Sequence, residues 1–284
     1  MNTAKIPTKR VQIASVAIGG GAPVAVIAGP CVIESREHTL RLAEAIVKAS
    51  QATQVPVIFK ASYDKANRSS IAAYRGPGIE EGLCILAEVK SQFSVPVLTD
   101  VHTEEQARIA AEIVDVIQIP AFLCRQTDLL VAAGKTGKPV NIKKGQFMAP
   151  WDMKNACAKV ASTGNDQILL TERGASFGYN NLVSDMRSLV VMRESGYPVI
   201  FDATHSVQLP GGLGHATGGQ RQYIFPLARA AAATGIDALF VETHDDPDRA
   251  LSDGPNALPL AMLSTLMNQV KELDAWLSTQ TMQA

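Results

Sequence analysis

Eight times along this chain a short, almost wholly apolar run turns polar at its C-terminal end and gives way to a longer amphipathic stretch. The runs are VAVIAGPC (24–31), VPVIFKASY (55–63), VPVLTDVH (95–102), VIQIPA (116–121), PVNIKK (139–144), ILLTERG (168–174), PVIFDATHS (198–206) and ALFVETHDD (238–246). Strands of parallel sheets, buried on both faces, read this way, without inside–outside alternation. The stretches between them, such as HTLRLAEAIVKASQAT and TEEQARIAAEIVD, space apolar residues three and four apart, as a helix with one buried face does.

Eight β/α units within roughly 250 residues predict a closed (β/α)8 TIM barrel. The 284 residues are expected to form a single domain, residues 1–284, with the barrel over 24–276. Its last helix is expected in PLAMLSTLMNQVKELDAW, after Gly254 and Pro255. The segment RVQIASVAIGGG predicts a short N-terminal β-hairpin within residues 10–22, which order along the chain places at the bottom of the barrel. A doubly wound open sheet is the competing architecture, but it needs fewer strands, and no GxGxxG follows a strand here.

A net charge of −1 argues against a general nucleic-acid binder, which carries a basic excess. No apolar stretch reaches the roughly 20 residues that cross a bilayer. The start, MNTAKIPTKRVQIASV, is basic but lacks the apolar core of a signal peptide. The expectation is a cytoplasmic protein with small-molecule partners, binding neither nucleic acid nor membrane. Cys31, Cys84, Cys124 and Cys157 form no CxxC pair and are expected to be thiols.

In a TIM barrel the catalytic groups stand at the C-terminal ends of the strands. The polar tails of the runs should therefore face one shared mouth. They supply Cys31 and Glu34; Lys60 with Lys65, Asn67 and Arg68; Asp100 with His102; Gln118; Lys143 with Lys144; Arg173; Asp202 with His205; and Glu242 with His244. A lone lysine at a strand end is most often a solvated charge. Lys60, Lys65, Arg68, Lys143 and Arg173 at successive ends point instead to a multiply anionic substrate. Cys31, His205 and Glu242 close the first, seventh and eighth runs, which closure makes neighbours, and Asp253 follows in the next loop. One thiolate, one imidazole and two carboxylates suit Zn2+, Fe2+ or Mn2+. By spacing alone, a metal site and a set of hydrogen-bonded helpers stay open. The glycine-rich SVQLPGGLGHATGGQ and the segment DDPDRALSDGPNA are expected to act as lids.

The segments KASYDKANRSS (60–70), QIPAFLCRQTD (118–128), NIKKGQF (141–147), TERG (171–174), FDATHS (201–206), VETHDDPD (241–248) and LSDGPNALPL (251–260) resemble the 3-deoxy-D-manno-octulosonate 8-phosphate synthases over nearly the whole chain. That resemblance implies condensation of phosphoenolpyruvate with arabinose 5-phosphate, a step of lipopolysaccharide Kdo biosynthesis. It implies that Lys60, Lys65, Gln118, Ala121, Lys143 and Arg173 bind phosphoenolpyruvate, and that Asn67, Arg68 and Ser69 bind the aldose phosphate. Arg125 resembles an arginine that reaches the sugar phosphate of a neighbouring subunit in a homotetramer. Lys60, Lys65, Lys143, His205 and Asp253 are the implied catalytic residues. Cys31, where metal-independent members carry Asn, and Gly145, where they usually carry Pro, resemble the metal-dependent class. The implied metal ligands are Cys31, His205, Glu242 and Asp253. The related aldoheptulosonate 7-phosphate synthases, which use erythrose 4-phosphate, carry an RTSP-type segment in place of KANRSS. They are the rival reading, and a non-catalytic phosphosugar-binding barrel is the rival from another class.

Overall fold

The structure, a computed structural model, describes residues 5–68, 70–211 and 218–280. Its centre is a closed barrel of eight parallel strands: β1 (Ala25–Gly29), β2 (Val57–Lys60), β3 (Val97–Asp100), β4 (Val116–Ile119), β5 (Val140–Lys143), β6 (Ile168–Glu172), β7 (Val199–Asp202) and β8 (Ala238–His244). Each neighbour in sequence is a neighbour in space, and β8 pairs with both β7 and β1 to close the ring. The helices that follow the strands are α1 (Arg36–Thr53), α2 (Ile79–Phe93), α3 (Glu104–Ala111), α4 (Thr127–Lys135), α5 (Met153–Ala161), α6 (Arg187–Arg193), α7 (Ile224–Thr234) and α8 (Leu263–Thr279). All eight apolar runs therefore contain barrel strands. α8 continues to Thr279, three residues past the end expected for the barrel.

The chain marks several helix starts chemically. The Ser35 side chain accepts the N–H of His38 before α1, and that of Thr103 accepts the N–H of Gln106 before α3. Each satisfies a backbone donor that the helix leaves unpaired.

Period-two alternation along each strand divides the apolar residues between two cores. Val26, Ala28, Phe59, Val97 and Ile117 face outward against the helices, in the larger one. Ala25, Ile27, Ile58, Leu98, Val116, Leu169, Ile200, Ala238 and Phe240 fill the barrel interior. Because both faces are buried, the sequence shows continuous apolar runs.

The N-terminal hairpin is present, Arg10–Ile13 paired antiparallel with Val16–Gly19. Its Val11, Ile13, Val16 and Ile18 are buried in the same cluster as the interior residues. Several of those, Ala25, Val116 and Ala238, open their strands, so the hairpin plugs the N-terminal end of the barrel. The opposite end is left free for chemistry. Truncating Ile13 to Ala opens a cavity in this plug and is expected to cost about 2–5 kcal/mol of unfolding free energy. Chemical denaturation measures this, and substrate affinity at the far end should stay unchanged.

Candidate active site

At the C-terminal end of the barrel lies a cavity of about 670 Å3. It is lined by Lys60, Lys65, Asn67, Arg68, Gln118, Ala121, Lys143, Arg173, His205, Glu242 and Asp253, among others. Six separate strand ends, at Lys60, Asp100, Gln118, Lys143, Arg173 and Glu242, therefore share one mouth, while Cys31 and Asp202 are not part of its lining. Gly29 sets how closely β1 and β2 approach, since a Cβ there would stand 1.7 Å from the carbonyl oxygen of Lys60.

The cations are interleaved with carboxylates. Lys60 Nζ donates to Glu242 Oε1 at 2.6 Å and to the carbonyl of Cys31 at 2.9 Å. Lys65 Nζ lies 3.9 Å from the same Glu242 oxygen. Lys143 Nζ donates to Asp202 Oδ2 at 2.5 Å and sits 3.6 Å from the centroid of the Phe240 ring, an arrangement a cation favours. Burial pushes the Lys143 ammonium below its usual range, against the pull of Asp202 and Glu242. Burial would raise Asp202, yet His205 and Lys143 hold that carboxyl well below the carboxylate range. Glu242 is likewise held low against burial by His205, Lys60 and Lys65. Burial opposes the charge on Lys65 too, but Cys31, Glu242 and Asp100 raise its affinity for the proton.

Among the described residues that line the cavity, two arginines carry spare donors. Arg173 is 4% exposed, and one of its terminal nitrogens donates to Gln208 Oε1 at 2.5 Å. Its other, Nη1, and the Nε of Arg68 are buried with no partner in the chain. A buried donor left unpaired costs about 1–3 kcal/mol. Both therefore fit an incoming anionic oxygen.

Four potential metal ligands converge from distant parts of the chain. One donor atom each of Cys31, Glu242 and Asp253 lie within 4.8 Å of one another. His205 Nε2 stands 3.6 Å from Glu242 Oε2 and 3.8 Å from Asp253 Oδ2. Its other nitrogen, Nδ1, lies 2.7 Å from Asp202 Oδ2. A carboxylate behind Nδ1 leaves Nε2 to face the ligand group, the arrangement that orients metal-binding histidines. Burial first, then Asp253 and Glu242, push the Cys31 thiol far above its usual range. A divalent cation would relieve that crowding of thiolate and carboxylates, so the donor set fits such an ion.

Other expected residues fall elsewhere. Arg125 is exposed and does not line the cavity. Ser69 lies outside the described residues, as does part of the glycine-rich segment expected as a lid, residues 212–217. Lys144 does not join the cationic lining: it is buried on the other side of its strand end, bonded to the carbonyls of Gly145 and Met148 and 3.5 Å from Glu172. Glu34 and His244 also do not face the mouth. Beyond Glu242, β8 no longer pairs with β1 and pairs instead with Leu258–Pro259. It leaves the ring there and carries His244 into a cluster with His38, Asp245 and Glu34.

The structure adds Gln208 and Ser252, which the sequence did not assign, and gives partners to Asp100, which it placed at the mouth without a role. Gln208 accepts from Arg173 and donates from Nε2 to Asp253 Oδ2 at 3.3 Å. Ser252 Oγ stands 2.8 Å from Cys31 Sγ and accepts a hydrogen bond from Arg68. Asp100 is hydrogen-bonded to Ser62 and lies 3.2 Å from His102 Nε2. Gln208 lies in an irregular glycine-rich stretch with no periodic signal, whereas Ser252 could have been found from its place beside Asp253.

Asp202 ties Lys143 and His205 together. Because its folded-state pKa is depressed, its contribution to stability is full above the unfolded carboxylate value of about 4 and is lost as pH falls through and below it. Asp202→Asn is therefore expected to lose less stability than the wild type between about pH 6 and pH 3, read by denaturant titration at each pH. An equal acid slope in the two proteins would refute the assignment.

The DAHP synthetase I family matches residues 4–279. A 2-dehydro-3-deoxyphosphooctonate aldolase of Trichlorobacter lovleyi is 62% identical over 268 residues, 94% of this chain and 98% of that protein. Proteins of the same description from Syntrophotalea carbinolica (61% over 265 residues, 93% and 96%) and Citrifermentans bemidjiense (60% over 268 residues, 94% and 98%) are similar over the same extent.

Proposed function

The chain belongs to the DAHP synthetase I family, and from that premise we propose that it is a 3-deoxy-D-manno-octulosonate 8-phosphate synthase, joining phosphoenolpyruvate, arabinose 5-phosphate and water into product and inorganic phosphate. The observation that carries this reading is the cavity in which Lys60, Lys65, Lys143, Arg173 and Arg68 meet His205, Glu242 and Asp253. Two phosphorylated anions repel each other in water. Buried cations with spare donors hold them together, and fixed geometry of this kind can supply roughly 7–11 kcal/mol of barrier reduction.

In this reading Lys60, Lys65, Lys143 and Arg173, with Gln118 and Ala121 on the wall, seat phosphoenolpyruvate at the bottom of the cavity. Arg173 Nη1 offers its free donor to one of that substrate's anionic oxygens. Asn67 and Arg68 form the aldose-phosphate end, to which the resemblance also assigns Ser69, and Arg68 is fixed there through Ser252. The enol C3 attacks the aldehyde carbon, and a carbon–carbon bond forms. Water adds at C2, and phosphate departs with its bridging oxygen, leaving the C2 ketone. Charge moves toward the former aldehyde oxygen and the leaving phosphate, and the fixed ammonium and guanidinium groups stabilise it at both places. Lys143, held by Asp202 and lowered by burial, is poised to hold a proton or an anion between the two substrates.

Cys31, His205, Glu242 and Asp253 are the proposed ligands of a divalent ion, Zn2+, Fe2+ or Mn2+. Once bound, such an ion supplies Lewis-acid polarisation of an oxygen in the cavity.

A homo-oligomer, in the form of a tetramer, is also part of this reading. Arg125 is exposed close to Phe122, which is 54% exposed, and Phe147, Trp151 and Phe177 stand out from the connections after β5 and β6. Exposed apolar groups of this size suit a surface covered by another copy. No helix among the described residues is long and apolar enough to cross a membrane, and we place the reaction in the cytoplasm.

A phosphate-release assay tests the reaction. Release is expected with phosphoenolpyruvate and arabinose 5-phosphate and to be much slower with erythrose 4-phosphate. Prior chelation should abolish it and added divalent ion restore it. The reverse sugar preference would install the aldoheptulosonate reading, and no release with either sugar would favour a binding barrel. Arg68→Ala separates the two ends of the cavity. It is expected to raise KM for arabinose 5-phosphate by roughly 10–100-fold, as loss of a charged hydrogen bond does, while that for phosphoenolpyruvate moves little. Equal rises for both substrates would overturn the assignment.

A further inference from the structure

The connection from β8 to α8 places two adjacent side chains between the proposed aldose-phosphate end and the proposed ion ligands. Ser252 touches Cys31 and Arg68. Asp253 touches Cys31 and Gln208, and Gln208 holds Arg173. Asp253 adopts φ +52°, a left-handed backbone that non-glycine residues rarely take and that persists only where the surroundings impose it.

Two side chains grip the backbone on either side of this pair. On one flank Glu34 Oε1 accepts the N–H of Leu251 at 2.8 Å. On the other, Arg221 Nη2 donates to the carbonyl of Gly254 at 2.7 Å and reaches Asp248 Oδ1 at 3.2 Å. Neither Glu34 nor Arg221 is among the described residues that line the cavity. Glu34 comes from the connection after β1 that also carries Cys31, so one connection supplies both a ligand and the brace for another.

Glu34 packs against a histidine cluster in which His244 Nε2 and His38 Nδ1 are buried without a geometrically formed hydrogen bond. Glu34 Oε1 lies 3.3 Å from Nε2 of His244, whose ring packs against that of His38, and His38 Nε2 lies 2.9 Å from Asp245 Oδ1. The backbone N–H of Asp246 donates to His244 Nδ1 at 2.9 Å, so a neutral His244 carries its proton on Nε2, facing Glu34. For this reason we read the Glu34–His38–His244 cluster, although its donor atoms also lie within 4.8 Å of one another, as a bracket rather than a second ion site.

We propose that Glu34 and Arg221 are positioning residues that clamp the backbone on both sides of Ser252 and Asp253, setting the aldose-phosphate end and the ion site without touching either. The inference rests on the roles given above to Arg68 and Asp253. The test uses the full-length enzyme and its Glu34→Ala, Glu34→Gln and Arg221→Ala variants. It reads KM for each substrate, the affinity for Co2+ by spectrophotometric titration, and the thermal midpoint.

Glu34→Ala is expected to raise KM for arabinose 5-phosphate and to weaken Co2+ binding, each by about 10-fold or more, the scale of outer-shell effects at metal sites. KM for phosphoenolpyruvate and the thermal midpoint should change little. Glu34→Gln, whose amide oxygen still accepts the Leu251 N–H, should restore both properties. Arg221→Ala, acting from the opposite flank, should repeat the pattern and carries the test if Glu34→Ala does not fold. Wild-type behaviour of both alanine variants, equal loss of both substrates, or failure of Gln to rescue would each overturn the proposal. A wild-type enzyme that takes up no Co2+ would remove the ion-site half together with the metal reading above, and the arabinose 5-phosphate KM would still decide the sugar half.

Discussion

Everything at the mouth of this barrel depends on the parallel pairing of β8 with β1, from Ala238 beside Ala25 to Glu242 beside Gly29. That pairing joins the two ends of the sheet. It sets Glu242 beside the connection that carries Cys31, and the β7–β8 pairing brings His205 to the same place. Residues more than two hundred positions apart then share one small volume. Gly29 belongs to the same constraint, because no larger residue fits against the Lys60 carbonyl.

Closure would be costly without charge matching. Burying an ammonium or a carboxylate in a low-dielectric interior is strongly unfavourable unless partners compensate. Here Lys60 faces Glu242, Lys143 faces Asp202, and His205 stands between Asp202 and Glu242. Buried pairs of this kind are weak evidence for stability, since apolar residues of similar volume often serve as well. Their value in the proposed function is to keep several cations in place for incoming anions. Arg173 Nη1 and Arg68 Nε stay unpaired in the chain, and in the proposed function they are the donors that meet substrate.

The division of labour follows from rigidity. The strands carry Lys60, Lys143 and Glu242, and each is paired in the barrel ladder at its own position, with Leu98, Thr171 and Gly29. Arg68, Gln208, Ser252 and Asp253 ride on connections and are fixed by one another and by neighbouring side chains. The plug of Val11, Ile13, Val16 and Ile18 at the other end lets the interior stay packed while the mouth is polar.

Much of this was legible in the amino-acid order. Apolar runs without alternation announced strands buried on both faces, and the polar residue that ended each run announced the mouth, because chain direction alone sends all parallel strand ends to one side. The resemblance in KANRSS, TERG and LSDGPNALPL supplied the residues proposed for the two substrate ends and the ion site. Some things were decided only by tertiary structure. Lys143 and Lys144 are adjacent in sequence and equally basic, yet one enters the cavity and the other bonds to the Gly145 and Met148 carbonyls. Glu242 and His244 share a strand, yet only Glu242 stays in the ring, because β8 exchanges its partner for Leu258–Pro259. The connections made by Gln208 and Ser252 carried no periodic signal, since irregular backbone is placed by what packs on it. Local order determined which residues are strands, helices and polar ends. Which side chains meet was settled by closure and by the packing of connections, which depend on contacts between residues far apart in the chain.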